Sequence, residues 1–428
     1  MKADIPLTRD LVLVGGGHAH ALVLRKWGMD PLPGARLTVI NPGPTAPYTG
    51  MLPGHVAGHY DRDTLEIDLV RLCRFAGARL ILGHATGIDR TSRMVQIDGA
   101  RQVAYDVASI DIGITAQMEI PGFADHAVGA KPLAVYAQRW RAFRDAARTG
   151  KVAPRIAVIG GGVAGCELSL AMAHALKTDG IVADVTVIES GPHISGVGER
   201  ARTLLMRKMT TAGVTLCTDA TVERIEQDSV ILRNSAPVAA AFVVGAAGAF
   251  PHAWLSRTDL PLSDGFITTN PDLSVQGDDR LFAVGDCAAM PFAPRPKAGV
   301  FAVRAAPVLY HNLRAALSEG PRKAFRPQKN YLKLISLGGK AAMAEKYGFA
   351  FSGAMLWQWK DRIDRAFMDK LSDLPTMPQP DIPRTLATGA REIMQAKPLC
   401  GGCGAKVGGA VLAGAFENLT TAPEIVTG

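Results

Sequence analysis

The sequence predicts an α/β protein built from two Rossmann-like dinucleotide-binding domains and a small C-terminal region. Three observations predict it. An apolar run followed by three glycines occurs twice, as DLVLVGGGHAH (10–20) and RIAVIGGGVAG (155–165). Each copy is followed by a helix-compatible stretch and then by a second apolar strand pattern. A third strand pattern, DDRLFAVGDCAAMP (278–291), ends in Gly-Asp beyond the second copy. The composition agrees. The chain has 428 residues, 48% apolar and 20% charged, which suits large buried cores and excludes a disordered or fibrous chain.

In each copy the apolar run reads as a buried parallel strand. The glycines permit a tight turn and a close approach of backbone to pyrophosphate, whose charge the N–H groups at the helix start can bind. In the first copy Gly15 and Gly17 are in place, but His20 stands where a third small residue is expected. Its next strand, ARLTVIN, ends in Asn41, which offers a ribose hydroxyl an uncharged partner. His18 and His20 look like a metal pair, but at i, i+2 they diverge on a helix, and no metal site is expected.

The second copy is the more regular. Gly160, Gly162 and Gly165 fill G-x-G-x-x-G, and the strand ADVTVIES ends in Glu189, 24 residues past Gly165. An acid there can bond both ribose hydroxyls of an adenosine, which favours NADH over its phosphorylated form.

In the third segment Gly285-Asp286 closes a strand. Asp286 can bind a polyol hydroxyl of a ligand lying across the sheet, or serve as a turn residue. Lys297 is expected to open the helix AGVFAVRAAPVLYHNLRAAL. Its charge and the helix N-terminus would then stabilise negative charge on an electron-accepting ring, the alternative being an ordinary solvated helix start. Further on, Met355, Trp359, Ile363, Phe367 and Leu371 recur every four residues in GAMLWQWKDRIDRAFMDKL (353–371), which predicts an amphipathic helix. Its mixed charges suit packing over the nucleotide domains or a dimer seam better than a membrane surface.

The net charge of +8 is mild for this length, and aromatics are only 6%, which argues against a nucleic-acid surface. Six cysteines lie at 73, 166, 217, 287, 400 and 403, and only the last two are close. That is no secreted disulfide framework. The longest uninterrupted apolar run, 238–250, is 13 residues against the about 20 a spanning helix needs, so a cytoplasmic setting is expected.

The order motif, motif, Gly-Asp resembles the two-dinucleotide-binding-domain flavoproteins of the pyridine nucleotide–disulfide oxidoreductase superfamily. The resemblance covers roughly residues 9–370 and implies FAD in the first motif and NADH in the second. It further implies a discontinuous FAD domain (9–150 and 245–325), an inserted NADH domain (151–244) and a C-terminal cover or interface region (326–373). SIDIGITAQMEIPG (109–122) and AAFVVGAAGAFPHAW (240–254) match the domain-crossing strands, both altered from the usual Ala-Thr-Gly. INPGPTAPYTGMLPG (40–54) lies where the chain would pass the flavin, with Tyr48 near the ring or simply filling space. Residues 41–72 hold no cysteine, which disfavours dithiol reduction, and the helix after Lys297 carries no glutamine of the kind that quinone-reducing members use.

GGGHAH, APYTGMLPG and KAGVFAVRAAP resemble a narrower group: NADH dehydrogenase-like domains fused ahead of selenophosphate synthetase (selenide, water dikinase). After a proline-rich linker (374–398), LCGGCGAKVGGAVLAGAF resembles the start of that synthetase, with Cys403 three residues before Lys406 as its reactive pair. Only 30 residues, 399–428, remain for it, so a truncated fusion without kinase chemistry is expected. The expected activity is hydride transfer from NADH to FAD and onward to a small-molecule acceptor, a quinone or a selenium or sulfur species. A selenide, water dikinase fragment and a non-catalytic redox sensor are the alternatives.

Overall fold

The computed structural model describes residues 5–116 and 118–376. The first apolar run forms strand Arg9–Val14, whose Leu11, Val12 and Leu13 are fully buried. It lies between two parallel neighbours, Ala35–Asn41 and Val107–Ile110. The sheet extends to Arg79–Leu82 on one side and to Asp278–Ala283 and Ser274–Val275 on the other. All its pairings are parallel except the last. Burial on both faces explains why these strands read as continuous apolar runs without alternation.

The second run forms strand Arg155–Ile159 in a five-stranded parallel sheet ordered Ala127–Gly129, Phe242–Gly245, Arg155–Ile159, Asp184–Ile188, Val214–Cys217. The glycine-motif strand thus sits between equivalent neighbours in both sheets. The second sheet begins at Ala127, earlier than the boundary at residue 151 that the sequence suggests. Ala127–Gly129 pairs with Phe242–Gly245, and helix Leu133–Arg148 packs Tyr136, Trp140 and Phe143 against Phe242. The strands of this sheet all fall in sequence between Val107–Ile110 and Asp278–Ala283. The chain crosses between the sheets where Thr115 and Phe250 exchange backbone hydrogen bonds.

The region after 326 is an antiparallel sheet, Lys333–Ser336, Ala342–Lys346 and Phe349–Gly353, followed by helix Ala354–Ser372. The helix is present as predicted, but its orientation differs from the predicted amphipathic face. Met355, Trp359 and Ile363 are exposed, Leu371 is buried, and the buried face includes Asp364. The reason is a satisfied polar network: Lys360 donates to the Asp364 carboxylate and to the Gly50 carbonyl, and Tyr48 donates to Asp364. Hydrogen-bonded polar groups can be buried where unpaired ones cannot. Among the described residues no helix is long and apolar enough to cross a membrane.

Candidate functional site

The second glycine turn is tight because Gly160 adopts φ +114° and because Gly165 lets the helix abut the strand end. A Cβ at Gly165 would lie 1.9 Å from the Gly160 carbonyl oxygen. Gly162, by contrast, faces open space, where an added Cβ would meet only Ser195 Oγ at 3.6 Å. Helix Val163–Thr178 follows, and the N–H groups of Val163 and Ala164 have no acceptor among the described residues. Unclaimed N–H groups at a helix start with clearance above them are what a pyrophosphate requires. Glu189 stands at the lip. Its carboxylate accepts from the Gly161 N–H at 2.6 Å and the Gly191 N–H at 2.9 Å, which fixes its position beside the turn.

The first turn is built on the same plan, with Gly15 at φ +90° and helix His18–Met29 behind it. Asn41 takes the place of Glu189. Its Oδ1 accepts from the Gly16 N–H at 2.9 Å, and its Nδ2 donates to the Gly43 and Thr45 carbonyls. The amide is therefore largely committed to its own loop. His20 replaces the third glycine without clash because its ring bonds what the glycine would merely touch. Nδ1 lies 2.7 Å from the Gly15 carbonyl oxygen and Nε2 lies 2.8 Å from Ser109 Oγ. Burial pushes the imidazoles of His18 and His20 down to about 4, so both are neutral near pH 7.

A residue that no sequence motif singled out dominates this cradle. Asp111 follows strand Val107–Ile110 and is 3% exposed. Its Oδ2 accepts from the Ala19 and His20 N–H groups at 3.0 and 3.2 Å, the first turn of the motif helix. A Cβ at Gly17 would fall 2.2 Å from its carboxyl carbon, and one at Gly285 2.4 Å from its Oδ1. Burial raises its carboxyl to about 7, against the two N–H bonds that favour the charged form. The available signal was a carboxylate directly after a buried apolar strand, in a segment altered from the family's usual pattern.

Asp286 lies in the short turn Gly285–Cys287 beside Asp111, and its carboxylate pairs with Lys131 at 3.6 Å. His18 contacts the Tyr48 ring edge-on at 5.2 Å, and Tyr48 stacks on Phe367 at 4.7 Å. Lys297 does not open the helix. That helix runs Gly299–Ser318, and the Lys297 ammonium donates to the Ala288 carbonyl at 2.7 Å and sits 3.7 Å from the centre of the Phe266 ring. Its charge is thus engaged, and burial lowers its pKa.

The charges of Lys360 and Asp364 act on Glu167, which lies on the second motif helix and accepts the Ser336 N–H at 2.6 Å. Burial raises Glu167, with the Lys360 charge opposing it, and burial likewise raises Asp364. No motif announces these residues, since they lie on three separate segments. Cys166 and Cys287 are buried, with thiols pushed up to about 12, which denies them thiolate chemistry. Cys403 and Lys406 lie outside the described residues.

The residues present fit two dinucleotides. The second cradle has clearance and unclaimed N–H groups. The first already holds an anion, the Asp111 carboxylate, so its N–H groups are placed to bind one. Asp286 at the sheet end and Tyr48 beside the cradle suit a flavin's polyol and ring. Asp111 competes for the helix N–H groups of the first cradle.

Comparison with known proteins agrees. Residues 9–308 match the family model described as pyridine nucleotide-disulphide oxidoreductase. The chain is 24% identical over 294 residues to the NADH dehydrogenase-like protein YutJ of Bacillus subtilis, which covers 67% of this chain and 78% of the relative. Among solved structures it resembles the sulfide:quinone oxidoreductase of Aquifex aeolicus, with TM-score 0.72 and 18% identity over 86% of this chain and 92% of that one. It also resembles NDH2 of Plasmodium falciparum, with TM-score 0.71 and 12% identity over 86% of this chain and 99% of that one. The family match stops short of the segment that resembles selenophosphate synthetase. The chain belongs to the pyridine nucleotide-disulphide oxidoreductase family.

Proposed function

We propose that this FAD- and NAD(P)H-dependent oxidoreductase uses its second cradle for NADH and its first for FAD, and delivers electrons to a small-molecule acceptor. The observation that carries the reading is the pair of equivalent glycine turns, each following the strand that lies between corresponding parallel neighbours of its sheet. When bound, FAD supplies the chemistry, accepting hydride from NADH and releasing the electrons singly or in pairs. The chain's own residues bind and align. Glu189 takes the adenosine ribose, and the Val163 and Ala164 N–H groups take the pyrophosphate. Asp286 takes the flavin polyol, and Tyr48 and His18 wall the ring. Asp364 and Glu167, both raised by burial, can hold a proton between the two sheets.

The acceptor is a quinone or a sulfur or selenium species. The relatives include a demethylphylloquinone reductase of Synechocystis, which supports the first class. The sulfur class is supported by an NAD-dependent persulfide reductase structure. The selenium link rests on resemblance alone, that of residues 399–416 and of the GGGHAH, APYTGMLPG and KAGVFAVRAAP segments. The proposed division is an FAD unit from 9–150 and 245–325, adjusted for strand Ala127–Gly129, around an NADH unit. A cytoplasmic setting suits the free Cys73, Cys166, Cys217 and Cys287. The outward Met355, Trp359 and Ile363 share their helix with Asp361, Arg362 and Arg365, which favours a seam with a second copy over a membrane surface.

The absorption spectrum of purified protein before and after anaerobic NADH tests the reading. Flavin absorbance that bleaches with NADH and recovers with an acceptor supports it, and absorbance that ignores NADH overturns it. A non-catalytic sensor is favoured by the departures at His20, Asn41 and Asp111. That second reading predicts NADH binding with no flavin bleaching.

A further inference from the structure

We propose that Asp111 is a built-in anion that holds the first cradle against the flavin's pyrophosphate, so that FAD binding takes up a proton at this carboxylate. The inference rests on the assignment of FAD to the first cradle.

The two cradles can be superposed by their backbone bonds. The Asp111 N–H donates to the Val14 carbonyl and the Ala246 N–H to the Ile159 carbonyl, at 2.9 and 2.8 Å. Asp111 and Ala246 are thus the same position in the two sheets. At the second cradle that position carries a methyl group, and the helix N–H groups are unclaimed. At the first it carries a carboxylate that claims the N–H groups of Ala19 and His20. The carboxylate occupies the space beside Gly17, the glycine whose missing side chain would admit a phosphate. A pyrophosphate and an ionised Asp111 cannot share those donors, and two anions in contact in a buried site repel strongly. A neutral Asp111 gives up the donors and becomes a donor itself, able to bond a phosphate oxygen.

The charged surroundings leave Asp111 as the group that titrates in the neutral range. His18 and His20 on the motif helix fall to about 4, and the Cys287 thiol rises to about 12. Asp286 lies beside it on the following turn and adds to the repulsion, while Lys131 pairs with Asp286 and Lys297 is turned to the Ala288 carbonyl. Asp111 itself changes charge near pH 7.

The test is FAD titration of the flavin-stripped full chain at pH 6 and pH 8, followed by quenching of flavin fluorescence. Wild type should bind about tenfold more weakly at pH 8, the change that uptake of one proton by a group titrating near 7 produces. Asp111→Asn should bind FAD about as well at pH 8 as wild type does at pH 6, with no pH dependence. NADH binding to the second cradle, followed by nicotinamide fluorescence, should be unchanged in the variant and verifies that it is folded. A pH-independent affinity in wild type, or an Asp111→Asn variant that binds FAD no tighter than wild type at pH 8, overturns the role of Asp111 and leaves the flavin assignment intact. No FAD binding by either protein at either pH overturns the flavin assignment itself, and this inference with it. If Asp111→Asn loses NADH binding, Asp111→Ala replaces it and is read by the same criteria.

Discussion

The two glycine turns of this protein share a sheet order, a backbone path and a purpose, and they differ in how each has dealt with its helix N-terminus. In the second turn Glu189 takes the Gly161 N–H, but the Val163 and Ala164 N–H groups at the helix start have no acceptor among the described residues, and the helix lies so close that Gly165 has no room for a methyl group. In the first turn Asn41 takes the matching Gly16 N–H, but Asp111 also claims the helix N–H groups of Ala19 and His20, and a buried imidazole sits on the Gly15 carbonyl. Open donors favour tight binding, whereas filled donors favour a stable empty site and a ligand that must compete for it. One architecture thus supports an exchanging substrate at one turn and a conditional cofactor at the other.

Moving the third residue of each motif should produce the largest effects. Gly165→Ala places its Cβ against backbone, not against a side chain that can turn away. The cost should be about 3 kcal/mol in denaturant unfolding, with NADH affinity falling too far to measure. His20→Ala has a different cause and a similar size. It leaves a cavity and strands the Ser109 hydroxyl and the Gly15 carbonyl, for about 2–4 kcal/mol. Its damage should fall on FAD occupancy and spare NADH. If Gly165→Ala melted like wild type, the claim that the second helix abuts the strand end at Gly165 would be wrong.

The second glycines give a finer contrast. A Cβ at Gly17 meets the Asp111 carboxylate, so Gly17→Ala should destabilise the flavin-free protein by about 1–3 kcal/mol. Adding Asp111→Ala should recover most of that loss, as neighbours in direct contact do not behave additively. Gly162→Ala meets nothing closer than 3.6 Å and should melt within about 0.5 kcal/mol of wild type, while NADH binding weakens because the new methyl group sits over the phosphate path. Thermal or urea unfolding of the four proteins checks the set, and equal destabilisation by the two glycine substitutions would break the comparison.

Much of this contrast was legible in the sequence. Both turns, both motif helices and the Gly-Asp strand were readable because burial on two faces and a glycine-bound turn are local properties. His20 and Asn41 were recognisable as departures, although their hydrogen bonds were not. Asp111 was hidden because its role depends on strand Val107–Ile110 lying beside Arg9–Val14, a pairing between segments distant in the chain. The C-terminal helix misled for a related reason. Its periodicity correctly announced a helix, but Lys360 and Asp364 find partners on Tyr48 and Gly50, and the first three members of the apolar stripe face outward while Phe367 and Leu371 pack inward. Period reports regularity, and orientation follows from whatever polar groups lie opposite.

Glu189 and Asn41 occupy matching places, and exchanging their chemistry should shift selectivity more than stability. Glu189→Arg should move the ratio of NADH to NADPH affinity by about tenfold or more toward NADPH, equivalent to about 1.4 kcal/mol. The change also removes the brace on the Gly161 N–H, so NADH affinity should fall in absolute terms. Titration with both cofactors is the measurement, and an unchanged ratio would mean that the carboxylate serves the turn alone.

Asp286 has no acidic counterpart at the second cradle, where Ala130 matches Val284 and Pro132 matches Asp286. Its removal should therefore affect one cradle only. The carboxylate is partly exposed and its pair with Lys131 is long at 3.6 Å, so Asp286→Ala should change stability little. On the proposed assignment it removes an acceptor for the flavin's polyol, a hydrogen bond to a charged group worth about 1.5–3 kcal/mol. Part of that loss should be returned, because Asp286 also sits beside Asp111 and its charge opposes an incoming phosphate. The net expectation is a several-fold loss of FAD affinity at pH 6, where Asp111 is neutral, and a smaller loss at pH 8, where relief of repulsion counts most. Equal losses at both pH values would separate Asp286 from the Asp111 pair, and full flavin occupancy would remove it from the site.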